Sequence, residues 1–280
     1  IRLLQEAVPG LVCEEVEITT RGDKVLDKPL PEIGGKGLFT QELEAELLSG
    51  SVDVAVHSLK DLPVEDSPGL TVSAIPVRED PRDVLVCPGG HSLSSLPPGA
   101  LVGTSSLRRQ AQILRHRPDL QVKSIRGNVE TRIRKVQEGQ YDAAVMAGAG
   151  ITRLGLNEHI AAWFSYDEML PAPGQGALGI QSRADDDRVQ ALLNMIHHND
   201  TAAAVRAERA FLLALGGGCS LPVGAFGQVE DGEISLSGLV ASPDGRQIIE
   251  VNGRGMSAHA LGELLAEQAA AQGAREVLHG

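Results

Sequence analysis

The sequence predicts an α/β protein with a small α+β region at its C-terminal end. Short apolar runs alternate with segments of helical periodicity over the first two thirds of the chain, which is typical of mixed or parallel sheets covered by helices. After residue 199, an alanine-rich helical segment precedes two strand-like runs, and the pair Asp244-Gly245 between those runs is a hairpin signal. A chain of 280 residues is long enough to form two or three hydrophobic cores.

Each element is predicted from its local sequence. Apolar runs bounded by polar or turn residues predict strands at 12–18, 52–56, 70–75, 84–86, 121–125 and 143–146, with 234–240 and 247–251 in the C-terminal region. Helical spacing of apolar residues, N-cap residues such as Thr40 and the stop at Pro118 predict the helices. These helices are 40–48, 106–116, 129–138, 201–215 and 258–272.

Two turn-rich segments, residues 76–82 and 171–176, are expected to cross between lobes. They divide the chain into three predicted domains. These are residues 1–76 together with 177–196, residues 82–171, and residues 199–280. Two crossings between the same lobes are also expected to act as a hinge.

The composition argues against several classes of protein. No apolar run approaches the roughly 20 residues of a membrane helix, and the first residues lack the form of a secretion signal, so we expect a soluble cytoplasmic protein without a membrane partner. The three cysteines, Cys13, Cys87 and Cys219, form no C-x-x-C pair, which argues against a disulfide framework or a zinc site. The pair His197-His198 has no third ligand at metal spacing, so no metal site is predicted.

The net charge of −12 hides a basic segment at residues 101–135. This segment contains nine basic and two acidic residues, a net +7, which leaves −19 for the rest of the chain. An anionic ligand is therefore expected there. Nucleic acid is not, because the segment has no aromatic residue on which a base could stack and the whole chain is acidic.

The segment Asp53-Val-Ala-Val-His-Ser-Leu-Lys-Asp-Leu-Pro63 runs from a predicted strand into Ser58, Lys60 and Asp61. Ligands of α/β proteins bind outside the carboxyl ends of strands, which favours a functional site here. The alternative is a charged, solvated turn.

Two further segments join a strand to a helix start that carries arginine. In Gly103-Thr-Ser-Ser-Leu-Arg-Arg109, small hydroxyl residues precede two arginines, and Ser124-Ile-Arg-Gly-Asn-Val-Glu-Thr-Arg132 repeats the arrangement. A helix N-terminus with an arginine fork is suited to bind an anion. The alternative, in which Ser106 only caps the helix, leaves Arg108 and Arg109 unexplained, since cations are unfavourable at that end of the helix dipole.

The loop Gly216-Gly-Gly-Cys-Ser-Leu-Pro222 places Cys219 after three glycines, where the backbone is free to present a thiol. The alternative is an inert, buried cysteine. Two glycine patterns are misleading. Gly174-Gln-Gly-Ala-Leu-Gly179 leads into strand-like residues and not into a helix, and Gly34-Gly-Lys-Gly37 lacks the remainder of a phosphate-binding loop.

Taken in order, His-Ser-Leu-Lys-Asp-Leu-Pro, Gly-Thr-Ser-Ser-Leu-Arg-Arg, Arg-Gly-Asn and Gly-Gly-Cys resemble the hydroxymethylbilane synthase, or porphobilinogen deaminase, family. The resemblance covers essentially the whole chain. It implies two lobes like those of periplasmic binding proteins and a third small α+β domain that carries the cysteine. It also implies an enzyme, a monomer, that joins four porphobilinogen molecules head to tail, releases ammonia and frees hydroxymethylbilane.

The resemblance further implies a dipyrromethane cofactor, bound to Cys219 through a thioether, and a catalytic carboxylate at Asp61. It implies that one set of residues binds the cofactor: Ser58, Lys60, Thr104, Ser105, Ser106, Arg108, Arg109, Arg126, Gly127, Asn128 and Arg132. A second set binds substrate: Lys36, Phe39, Arg153 and Gln175. Each pyrrole bears an acetate and a propionate, so several arginines are needed to neutralise the growing chain. A fixed carboxylate is suited both to stabilise positive charge on a pyrrole nitrogen and to move protons.

Two expectations qualify this interpretation. The family's first helix carries an Arg and a Ser that contact the cofactor, and the chain opens near the end of that helix, so we expect it to be less active than a longer form. The alternative function is a non-enzymatic two-lobed protein that binds carboxylates, which would have no need of a presented Cys219.

Overall fold

The computed structural model describes residues 1–20, 40–217 and 221–279. The described strands are β1 (Val54–Ser58), β2 (Leu70–Ala74), β3 (Asp83–Val86), β4 (Leu101–Gly103), β5 (Gln121–Lys123), β6 (Ala143–Ala147), β7 (Ile160–Trp163), β8 (Leu178–Arg183), β9 (Val223–Glu230), β10 (Glu233–Ala241) and β11 (Ile248–Gly255). The described α-helices are α1 (Arg2–Ala7), α2 (Gln41–Ser49), α3 (Leu107–His116), α4 (Val129–Gln137), α5 (Gly148–Arg153), α6 (Asp187–Asn194), α7 (Asn199–Ala214), α8 (Ala258–Ala271) and α9 (Ala274–His279). Short 3-10 helices span Leu59–Asp61, Leu93–Ser95 and Asn157–His159.

The first sheet has the order β1-β8-β2, and both pairings are antiparallel. Its central strand, β8, comes from a part of the sequence more than 100 residues after β2. The chain therefore leaves this sheet through residues 76–82 and returns to it through residues 171–176. These two crossings lie side by side, since the amide of Glu79 donates to the carbonyl of Gly176 at 3.1 Å.

The second sheet has the order β5-β4-β6-β3-β7. Strand β4 is parallel to β5 and to β6, whereas β3 is antiparallel to β6 with Asp83 opposite Ala147. Because of this antiparallel pairing, the first residue of β3 lies at the carboxyl edge of the parallel strands. The loops after β4, β5 and β6 leave from the same edge, so Asp83 meets the helix starts that follow them.

The third sheet, β11-β10-β9, is an antiparallel meander against which α7 and α8 pack. Gly238 in β10 allows the closest contact, because a Cβ atom there would lie 2.6 Å from the ring of Phe211. The predicted hairpin between β10 and β11 is confirmed, with Gly245 in the left-handed region at φ +70°.

The predicted α/β class with an α+β region at the C-terminal end is confirmed. The predicted helices after residue 100 begin and end within two residues of the observed ones. The strand predicted at 12–18 is wrong. Val12 is 91% exposed and no described strand pairs with this segment, so its apolar alternation has no sheet to join. The domain boundaries remain a prediction.

Among the described residues, no helix is long and apolar enough to cross a membrane. Within the same part of the chain, no group of three or more His, Cys, Asp or Glu side chains is arranged to hold a metal ion.

Candidate active site

Strand β1 ends at the exposed Ser58 and leads directly into the 3-10 turn that carries Lys60 and Asp61. Two features of Leu59 hold this turn in place. Its amide donates to the carbonyl of Ala177 at 3.0 Å, and its side chain is 1% exposed. Asp61 is exposed, whereas Lys60 is partly buried. The predicted placement of these polar groups at the carboxyl end of a strand is confirmed.

Lys60 connects the turn to the second sheet through Gln175. The Lys60 Nζ donates to the Gln175 Oε1 at 3.4 Å, and the Gln175 Nε2 donates to the Asp83 Oδ1 at 2.8 Å. Burial lowers the pKa of Lys60 below its ordinary 10.5; the charge of Asp61 opposes this effect, and that of Arg109 adds to it. The amine is therefore easier to deprotonate than that of a solvated lysine.

Asp83 is a fully buried carboxylate held by two arginines at the start of α3. The Arg108 Nη1 donates to its Oδ2 at 2.7 Å, and the Arg109 Nη2 and Nε donate to its Oδ1 at 2.8 and 3.1 Å. The positive charges of Arg108 and Arg109 outweigh the effect of burial and hold the pKa of Asp83 at about 2. The two arginines are themselves only 3% and 6% exposed.

The ion pairs with Asp83 explain the two arginines that the helix-cap interpretation left unexplained. Ser106 does cap α3, with its Oγ accepting the amide of Arg109 at 3.4 Å. The counter-charge of Asp83 explains why Arg108 and Arg109 are tolerated near the positive end of the helix. A ligand is not required to account for these two side chains, and their predicted role in cofactor binding stays a prediction.

The remaining predicted hydroxyls also make internal contacts. The Thr104 Oγ1 accepts the amide of Ser106 at 3.2 Å. The Ser105 Oγ donates to the carbonyl of Ile125 at 2.7 Å and lies 2.8 Å from the Ser124 Oγ. These bonds hold the loops that follow β4 and β5 against each other.

The start of α4 has the predicted turn and cap. The Asn128 Oδ1 accepts the amide of Thr131 at 2.9 Å, and Gly127 has φ +117°, where a Cβ atom would lie 2.6 Å from the Thr131 side chain. The Arg132 Nε donates to the carbonyl of Gly127 at 2.8 Å. The backbone of this turn is therefore shaped so that Arg132 folds back over it.

Arg132 shows that the separate motifs meet in one place. Burial lowers its pKa to about 10; the charges of Arg109 and Arg126 lower it further, and the charge of Asp61 opposes them. Coulombic interactions weaken with distance, so Arg132 lies near charged side chains from three segments of the chain, those of Arg109, Arg126 and Asp61. The structure thus brings Asp61, the predicted catalytic carboxylate, into the same region as basic residues predicted from the sequence; their roles stay predictions.

The charges of this cluster do not cancel. Its cations are Lys60, Arg108, Arg109, Arg126 and Arg132. Its carboxylates among the described residues are Asp61 and Asp83, which leaves a net +3. A partly desolvated region with excess positive charge favours a ligand that bears several carboxylates.

Comparison with known proteins identifies the ligand chemistry. Residues 1–191 match the family model described as porphobilinogen deaminase, dipyromethane cofactor binding domain, and residues 202–271 match the porphobilinogen deaminase C-terminal domain. The chain belongs to the porphobilinogen deaminase family. It is 54% identical over 267 residues to the porphobilinogen deaminase of Shouchella clausii, covering 95% of this chain and 86% of the relative. It is 52% identical over 277 residues to that of Syntrophotalea carbinolica, covering 98% and 88%.

Solved structures with partial similarity include two periplasmic proteins. The VFT2 domain of Bordetella pertussis BvgS is 19% identical with a TM-score of 0.40, covering 70% of this chain and 74% of that domain. The sulfonate-binding protein SsuA of Methylobacillus flagellatus is 13% identical with a TM-score of 0.35, covering 60% and 50%.

The porphobilinogen deaminase cofactor is a dipyrromethane, whose rings carry carboxylates, and the residues present fit such a group. The excess positive charge of the described cluster is opposite in sign to these carboxylates, and the charge of Asp61 acts on Arg132 within that cluster. The predicted anchor, Cys219, lies within the C-terminal family match but outside the described residues, as do the predicted substrate contacts Lys36 and Phe39.

Two predicted substrate contacts bind the protein itself in this structure. The Arg153 Nη2 donates to the carbonyl of Gly176 at 2.6 Å, which ties α5 to the second crossing, and burial lowers the pKa of Arg153. Gln175 is 1% exposed and bridges Lys60 to Asp83. Their predicted role in substrate binding remains a prediction.

Sequence reasoning missed two residues that hold the site together. Asp83 pairs with Arg108 and Arg109 of α3. Two adjacent arginines at a helix start need a counter-charge, and this need was the only sequence signal for a buried carboxylate. Glu208 in α7 is also fully buried. It accepts hydrogen bonds from the Arg78 guanidinium at 2.6 and 3.1 Å and from the amides of Gly174 and Gly227. Glu208 thereby ties both crossings to the third sheet.

Proposed function

We propose that this chain works as a hydroxymethylbilane synthase in which Asp61 is the catalytic carboxylate and Cys219 anchors the dipyrromethane. The reaction joins four porphobilinogen molecules head to tail and releases ammonia at each addition. The observation that carries the proposal is the position of Asp61, a carboxylate that follows the end of β1 and whose charge acts on both Lys60 and Arg132.

Asp61 has two tasks in this reaction. When ammonia leaves porphobilinogen, positive charge develops on the pyrrole nitrogen, and the fixed carboxylate of Asp61 stabilises that charge. The same oxygen atoms accept and return protons at the amino group and at the ring carbon, which is general acid and base chemistry. The bound dipyrromethane supplies the pyrrole carbon on which the chain is extended.

The basic residues bind and orient the carboxylates. Arg126, Arg132 and Lys60 are partly buried, so their charges act in a medium with less screening than water. Arg109 contributes its charge to the same region while its guanidinium holds Asp83. These cations would bind the acetate and propionate groups of the dipyrromethane and of the substrate in the region that contains Asp61.

Intact-mass measurement and turnover test the proposal together. The purified protein should carry the mass of two pyrrole units, and Cys219→Ser should abolish this adduct. Asp61→Asn should lower turnover of porphobilinogen per holoenzyme by roughly 100-fold or more, the usual contribution of a general acid or base. Asp185→Asn, which removes an exposed carboxylate elsewhere, is the matched control and should be unaffected.

Bare polypeptide mass with no consumption of porphobilinogen would support the alternative of a non-enzymatic carboxylate-binding protein. Normal turnover by Asp61→Asn would remove Asp61 from its assigned role. We also propose a cytoplasmic monomer. Light scattering behind a sizing column should give the mass of one 29.5 kDa chain, and a dimer mass would contradict this.

A further inference from the structure

Arg209 of α7 binds the segment that contains the catalytic turn. Its Nη1 donates to the carbonyls of Leu59 at 2.9 Å and Leu62 at 3.0 Å, and its Nη2 donates to the carbonyl of Pro63 at 2.5 Å. One guanidinium thus spans five consecutive residues, 59–63, with Asp61 at their centre.

The carbonyls of residues 59–63 need a hydrogen-bond donor from outside the segment because of its local sequence. A 3-10 turn of three residues satisfies few of its own carbonyls, and Leu62 N to Leu59 O at 3.3 Å is its one backbone bond within residues 59–63. Leu62 precedes a proline and is extended, at φ −82° and ψ 133°, so the chain leaves the turn without continuing a helix. The planar fork of an arginine is suited to hold carbonyls that diverge in this way.

The contact is part of a longer face of α7. Ala202 and Val205 pack in the same apolar cluster as Leu59 and Leu62, and Arg209 follows them at positions i, i+3 and i+7 of the helix. This face of α7 therefore contacts both the apolar side chains of the turn and the backbone carbonyls of residues 59–63.

The same helix leads toward the cofactor anchor. Helix α7 ends at Ala214, and Cys219 follows five residues later. Its other side packs in the core of the third sheet through Phe211 and Leu212. Helix α7 thus runs from its contact with the Asp61 turn to within five residues of Cys219 in the sequence.

We propose that Arg209 is a positioning residue for catalysis, which sets the Asp61 carboxylate in register with the helix that leads to Cys219. Arg209 acts through the backbone of the turn and does not touch substrate. The inference rests on the proposed function, because it assigns Arg209 a part in the chemistry of Asp61.

Arg209→Lys tests the inference. Lysine keeps the charge and the aliphatic stem but replaces the two-nitrogen fork with a single nitrogen, which cannot reproduce the three contacts in the same geometry. We expect the dipyrromethane adduct to persist and kcat per holoenzyme to fall roughly 10- to 100-fold, since a small misplacement of a catalytic group has effects of this size. KM for porphobilinogen should change by about twofold or less, because the arginines of the cleft are untouched.

Two controls separate positioning from stability. Arg206→Ala removes an exposed arginine from the same helix, and Leu265→Ala weakens the core between α8 and the third sheet without touching the turn. Both should retain the wild-type kcat per holoenzyme. Arg209→Gln is a second variant. Glutamine keeps one NH2 group with two N–H donors but is uncharged, and this variant should lower kcat in the same way.

The inference fails if Arg209→Lys and Arg209→Gln keep the wild-type kcat, or if KM rises while kcat is unchanged. It fails equally if Leu265→Ala lowers kcat as much, or if both Arg209 variants are unfolded by circular dichroism, because the role is then only structural. A wild-type protein that carries no adduct and does not consume porphobilinogen would instead overturn the proposed function.

Discussion

Replacing Asp83 with asparagine should destabilise the second sheet more than any exposed substitution. The side chain keeps its shape and one acceptor oxygen, but Arg108 and Arg109 lose their counter-charge while they stay buried. A pKa held at about 2 instead of 3.8 corresponds to about 2 kcal/mol of folding free energy. Breaking a buried ion pair by removing one partner typically costs about 3–5 kcal/mol, so we expect a loss of roughly 2–5 kcal/mol.

The same contact predicts a pH dependence. The pKa of Asp83 is lower in the folded protein than in the unfolded chain, so its contribution is fully present above the unfolded value of 3.8 and is lost as the pH falls through about 2. The difference in stability between wild type and Asp83→Asn should therefore be constant near neutral pH. It should shrink as the pH is lowered from about 5 toward 2.

Urea unfolding followed by tryptophan fluorescence is the assay. Trp163 is the single tryptophan of the chain. It lies in β7 opposite Val84, the residue that follows Asp83, so its fluorescence reports on the unfolding of this sheet. Asp119→Asn is the matched control, because Asp119 also pairs with an arginine, Arg117, but at the surface. Unfolding of Asp83→Asn at the same urea concentration as Asp119→Asn would contradict this prediction.

Two other outcomes test the crossings and the electrostatics of the turn. Gly176→Ala should destabilise the protein by several kcal/mol in excess of Gly139→Ala: both residues have positive φ, but only at Gly176 would the new Cβ lie 2.4 Å from a backbone carbonyl, that of Glu79. Equal thermal midpoints for the two variants would contradict this. The Lys60 amine should titrate below its ordinary pKa of 10.5 because burial disfavours its charge, and NMR of reductively methylated protein should show this; titration at or above 10.5 would contradict it.

Local patterns predicted most elements but not those that depend on distant pairing. Residues 12–18 have the apolar alternation of a strand, yet a strand requires a neighbour, and none of the described strands pairs with this segment. Strand β7 is the reverse case. Its sequence, Ile-Ala-Ala-Trp, has little strand character, but β3 lies beside it and Val84 pairs with Trp163.

The candidate site shows the same division. Asp61 and Lys60 could be placed from the sequence because one strand and the proline after it determine their position. The partner of Arg108 and Arg109 could not. Asp83 precedes them by 25 residues and reaches them only because β3 runs antiparallel to β6, a pairing that no local pattern specifies.

The identity of that partner changes how much charge the cleft offers. The sequence shows a segment of net +7, but Asp83 neutralises part of it and other arginines, such as Arg117, pair at the surface. Among the described residues, the cluster that contains Asp61 has a net +3. Two pyrroles with an acetate and a propionate each bring four carboxylates, so the dipyrromethane alone exceeds the excess charge of this cluster. Each further porphobilinogen adds two more. The carboxylates of a longer chain must therefore be met by water or by cations outside this cluster.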